Sequence, residues 1–224
     1  MRFIKKWSYG GANYLASVRQ ENHQRRLIYY YSLQVIIGAI VKVIITLLTA
    51  YIFGIFTPML VTVLSFSIMR KLAGGYHMDT YSKCLFVSLA LFILASLIAK
   101  YTYMYWNSLC LLILIILTFV IGLYVLIKYA PKDNPNKRIT DPREIRKLKT
   151  LSLIYLFIWV FTTIFVFFKN KVFVLPLCFG ILLSLFIITP TGHRFFDYVK
   201  SSLNNKKKHL KQKFSTNHKY FLFI

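Results

Sequence analysis

Acidic residues are almost missing from this 224-residue chain: six Asp+Glu stand against 29 Lys+Arg, for a formal net charge of +23. Charge of either sign is scarce too, at 16% of residues against the roughly 25% of an ordinary soluble domain. The apolar share, 57%, excludes a disordered chain. It also excludes a soluble globule, because the charge-free runs would leave too much hydrocarbon in water. Three scattered cysteines are too few for a disulfide framework. No H-E-x-x-H string occurs, and the histidines at 23, 193, 209 and 218 have no ligand spacing with Cys or acidic neighbours, so no metal site or other cofactor is expected. A phosphate-cradling Gly-rich loop ending in Lys-Ser/Thr is absent as well, which removes support for an ATP-driven pump.

What remains is hydrocarbon in blocks. Uninterrupted charge-free runs cover 43–69, 84–99, 101–127, 150–168 and 172–193, and another, 27–41, is cut from the first by Lys42 alone. A spanning helix needs about 20 apolar residues, with about 17 as the lower limit. The 27–69 region is too long for one helix, and Gly54-Ile55-Phe56-Thr57-Pro58 marks a turn inside it. Six spans are predicted, near 30–51, 56–69, 84–99, 106–127, 150–168 and 172–190. The fold class is an all-α, polytopic membrane protein. Residues 1–26 read as an interfacial helix mixing Phe3, Ile4, Trp7, Tyr14 and Leu15 with Arg2, Lys5, Lys6 and Arg19. Residues 27–199 form the membrane domain and 200–224 a basic tail; no cleavable signal peptide is evident before Leu27.

Alternate loops carry +19 on one side and +3 on the other. The positive side is expected in the cytoplasm, with both termini. Anionic lipids are the first partner such a surface implies. Nucleic acid is not expected, and a second copy of the chain stays open as a partner.

Chemistry concentrates between the second and third spans. Cys110 and Cys178 lie inside apolar runs and read as small hydrophobes. Cys84 sits at a loop–helix junction one residue after Lys83, where a helix N-terminus and nearby cations favour the attacking thiolate. His77 precedes it by seven residues, about 10.5 Å along a continuous helix. Hydrogen-bond reach is about 2.6–3.2 Å, so pairing requires a bend, which Gly74-Gly75 and Met78-Asp79-Thr80-Tyr81-Ser82 permit. Spacing alone leaves a loop histidine and an inert thiol equally open.

Polar residues in the first span have two readings each. A lysine at mid-membrane costs about 2.5–3.5 kcal/mol, so Lys42 either serves the site or snorkels to an interface. Gln34 can donate to an oxyanion or bond between helices. Arg70 and Lys71 suit the cytoplasmic end of their helix and could equally hold a substrate carboxylate.

The string Arg70-x-x-Ala73-Gly74-Gly75-x-His77, with Cys84 seven further on and a hydrophobic helix pair ahead of it, resembles the accessory gene regulator B family. Tyr129-Ala130-Pro131-Lys132-Asp133-Asn134-Pro135-Asn136-Lys137 is similar to that family's basic loop, and the likeness runs over roughly residues 10–195. The resemblance implies a bacterial membrane cysteine endopeptidase that matures a quorum-sensing propeptide. Cys84 would be the nucleophile and His77 its general base, with Gln34, Lys42, Arg70 and Gly75 as supporting candidates. The implied partner is a short signal propeptide with an acidic C-terminal tail, for which Lys71, Lys137 and Arg138 are candidate contacts. Cleavage through a thioester would allow closure to a thiolactone. The rival reading is a non-catalytic peptide exporter or permease. No Asp or Glu lies in any apolar run, so that rival lacks a conventional carboxylate proton relay.

Overall fold

The structure, a computed structural model, describes residues 2–76, 78, 80–132 and 141–202. Helices α1 (Arg2–Val18), α2 (His23–Ile52), α3 (Phe56–Ala73), α4 (Tyr81–Thr102), α5 (Ser108–Tyr129), α6 (Pro142–Lys169) and α7 (Val174–Ile188) follow in order. A last helix, α8, occupies 190–202. Six helices are long and apolar enough to cross a membrane, in agreement with the six charge-free blocks. The chain is a multi-pass membrane protein.

Charge placement locates the crossings better than the helix ends. Helix α2 begins seven residues before residue 30, so its 30 residues run about 45 Å, well beyond a hydrocarbon core of about 30 Å. The excess length is covered by α1, which turns back along it. Ile4, Ser8, Ala12 and Ala16 are buried against α2, while Phe3, Trp7, Tyr14 and Leu15 stay exposed beside the basic residues, as an interfacial helix requires. Helix α6 likewise starts at Pro142 rather than near 150, because Asp141 caps it by accepting from the Arg143 N–H at 2.8 Å.

Helix α7 is the most buried span, and packing against it depends on small residues. A Cβ at Gly180 would sit 2.6 Å from Thr62 O and 2.7 Å from Ser65 Cβ, so α3 approaches closely there. Thr62 Oγ1 donates to Pro176 O across the same contact at 3.3 Å. Val125, Leu126, Leu156 and Trp159 complete the core around α7. After Ile188 the chain turns through Thr189, whose Oγ1 accepts from the Gly192 N–H at 3.2 Å. That turn lets α8 set off in a new direction.

Candidate functional site

Helix α3 ends at Ala73 because Gly74 and Gly75 take φ of +77° and +133°, which L side chains rarely adopt. Space demands glycine too. A Cβ on Gly74 would meet Lys132 O at 2.2 Å, and one on Gly75 would meet Ile187 Cγ2 at 2.8 Å. Helix α4 resumes only at Tyr81, so no single helix runs from α3 to Cys84.

The resulting turn is held from four directions. Lys132 N donates to Ala73 O at 3.0 Å, forming with Gly74 a single parallel backbone bridge. Tyr76 N donates to Ile187 O at 3.4 Å. Arg70 Nη2 donates to Tyr76 O, and its guanidinium stacks 5.8 Å from the Phe66 ring centre. Tyr76 Oη donates to Asp197 Oδ1 at 2.7 Å, and its ring stacks on Phe196 with centroids 5.5 Å apart.

Cys84 is the fourth residue of α4, half-buried, with its N–H bonded to Thr80 O at 3.1 Å. It opens into a small cavity of about 40 Å³ shared with Lys42, Arg70, Tyr76, Met78, Ser88 and Phe196, the remaining walls being apolar. Lys42 and Arg70 both interact electrostatically with Cys84. Helix α2 puts Lys42 here because Tyr81 Oη donates to Gly38 O, one turn below, with the ring packed on that glycine. Ser88 Oγ donates to Cys84 O at 2.6 Å. Two basic side chains thus share the cavity with the Cys84 thiol at a helix N-terminus.

Of the residues singled out in the sequence, Cys84, Lys42 and Arg70 meet in this cavity, and Gly75 packs against Arg70 and Ile187 at its edge. Gln34 does not line it; it sits two turns before Lys42 on α2, half-buried. Lys71 is exposed on the last turn of α3. His77, Lys137 and Arg138 lie outside the described residues. Cys110 is exposed at the start of α5 and Cys178 is buried on α7. Among the described residues no three His, Cys, Asp or Glu side chains cluster as a metal would need.

Ser88 is one helical turn from Cys84, so helical spacing alone could have found it. Tyr76, Phe196 and Asp197 carry no such signal, since they join across 120 residues of chain. His193, on the same face of α8, packs edge-on to Tyr76 at 5.3 Å and has a buried Nε2 with no hydrogen-bond partner among the described residues. Burial pushes the His193 imidazole below its ordinary 6.5, Lys132 pushes the same way, and Asp197 opposes them.

Known proteins place this architecture. The "Accessory gene regulator B" family pattern matches residues 8–188, most of the chain and all six spans. The "Putative AgrB-like protein 2" of Clostridium perfringens (strain 13 / Type A) is 26% identical over 202 residues, 86% of this chain and 94% of that protein. The "Accessory gene regulator protein B" of Staphylococcus aureus (strain MRSA252) is 31% identical over 155 residues, 69% of this chain and 79% of the relative. The strain Newman protein of the same name is 34% identical over 143 residues, 64% and 72% of the two chains. No solved structure matches the chain. With the family pattern spanning the six membrane helices and Cys84, the chain belongs to the accessory gene regulator B family.

Proposed function

We propose that this protein is a membrane cysteine endopeptidase of a peptide quorum-sensing system, removing the C-terminal tail of an autoinducer propeptide. One observation carries the reading. Cys84 opens into a cavity with two cations, and Tyr76 and Met78, the neighbours of His77 on either side, line the same cavity. In this reading the Cys84 thiolate attacks the carbonyl at the junction of signal and tail. His77 takes the thiol proton and returns it to the leaving amine, freeing the tail and leaving a thioester on Cys84. Attack by a thiol within the bound signal then breaks the thioester, closes a thiolactone and restores the Cys84 thiol. The largely apolar walls favour that route, because they keep competing water from the thioester.

The substrate proposed is a short propeptide with an acidic tail, which the cationic loops attract. Lys71, Lys137 and Arg138 are the proposed tail contacts. Both termini are proposed to lie in the cytoplasm, as the +19 to +3 loop asymmetry supports. The test is co-expression with candidate propeptides. Cys84→Ala and Cys84→Ser should lose precursor cleavage while still inserting in the membrane, whereas Cys110→Ala and Cys178→Ala should keep it. Full processing by Cys84→Ala would refute the mechanism and favour a transporter.

A further inference from the structure

Helix α8 follows the last residue of the family match, and nothing in the proposed chemistry uses it. Yet it contributes to the Cys84 cavity. Phe196 is 3% exposed, lines that cavity and stacks on Tyr76 at an interplanar angle of 21°. Asp197, one residue on, accepts the Tyr76 hydroxyl at 2.7 Å. His193, one turn earlier, closes on the other edge of the same ring. Three side chains of α8 thus grip one residue of the turn, the residue immediately before His77.

We infer that α8 is the clasp of the Cys84 cavity, with Asp197 as a positioning residue that acts through Tyr76 to hold the 74–76 turn against the cavity. The other three restraints on that turn are backbone bonds to Lys132 and Ile187 and the Arg70 contact to Tyr76 O. They act on the main chain, whereas the α8 contacts act on the Tyr76 ring. Asp197 and Phe196 fix the ring, and the ring is itself part of the cavity wall. Release of the clasp loosens the wall that Tyr76 and Phe196 form beside Cys84, which widens access to the thiol. The inference about cleavage rests on the peptidase reading, but the inference about access to Cys84 does not.

The two are separated by measuring alkylation of Cys84 with a maleimide alongside precursor cleavage. Labelling uses the full-length chain carrying Cys110→Ala and Cys178→Ala. Asp197 is exposed, so its replacement leaves the core intact. Asp197→Ala and Tyr76→Phe should each raise the labelling rate about five-fold, the ratio that loss of one hydrogen bond of about 1 kcal/mol produces. Their combination should go no further than either alone, because both break one contact. Asp197→Glu should restore slow labelling, which a general loosening of α8 would not predict. A chain whose sole thiol is Cys110 should label at one rate with and without Asp197→Ala. Unchanged Cys84 labelling in Asp197→Ala overturns the clasp, whatever happens to cleavage. Faster Cys84 labelling in Asp197→Ala, together with no precursor cleavage by the parent chain that retains Asp197, supports the clasp and refutes the peptidase reading.

Discussion

Replacing Gly75 by alanine isolates how much of the site depends on the shape of one turn. Two costs add. At φ +133° an L side chain strains the backbone by about 1–3 kcal/mol. The new Cβ also lands 2.8 Å from Ile187 Cγ2 and 3.3 Å from Arg70 Nη1, and overpacking of this kind costs about 1–3 kcal/mol. The expected total is about 2–6 kcal/mol, enough to displace the turn and with it the Arg70 contact to Tyr76 O. Thermal unfolding of the detergent-solubilised protein should show a lowered Tm, and precursor cleavage should drop with it. The steric share can be separated from the backbone share. Ile187→Ala removes the atom that the Cβ would strike, so Gly75→Ala combined with Ile187→Ala should cost less than the sum of the two single changes, by about 1–3 kcal/mol of coupling. Gly74→Ala offers no such relief, because its Cβ would meet Lys132 O, a main-chain atom, at 2.2 Å. Wild-type Tm and cleavage in Gly75→Ala, or strict additivity with Ile187→Ala, would refute the reasoning.

Lys42→Met should slow alkylation of Cys84 by roughly five-fold, since it removes one of the two basic side chains that share the cavity with the thiol, and Lys42→Arg should retain most of the rate; equal rates for Lys42→Met and wild type would return this lysine to a snorkelling role. For His193, the folded state disfavours the imidazolium through burial and Lys132, with Asp197 and the Tyr76 ring as its other neighbours. Its contribution to holding α8 is therefore complete above pH 6.5 and fades as pH falls below that value, so hydrogen exchange over 190–202 should quicken on acidification, and His193→Gln should flatten the response. Charge reversal at Lys137 and Arg138 should slow cleavage more at low salt than at high salt, because exposed charges are screened beyond about 8 Å at physiological ionic strength; a defect indifferent to salt would remove these residues from tail capture.

Much of the fold is a local property of the chain and is legible without coordinates. Each charge-free block reports a transfer free energy summed over about 20 neighbours, and that sum decides whether a segment crosses a membrane regardless of what it touches. Hence the six spans and the amphipathic α1 follow from composition, and the need for a bend between His77 and Cys84 follows from helical rise alone. Helix ends were less legible, because a helix continues past the membrane wherever a partner such as α1 or a cap such as Asp141 supports it. Lys42 and Gln34 looked alike as polar residues on one apolar helix. Only the packing of Tyr81 on Gly38 decided that Lys42 reaches the Cys84 cavity and Gln34 does not. The hold on residues 73–76 by Lys132, Ile187 and Asp197 was likewise beyond the sequence, since it joins the segment after α5, the end of α7 and the middle of α8 to a turn after α3. Such contacts depend on how remote helices pack, and no local pattern of charge or hydropathy encodes which of them meet.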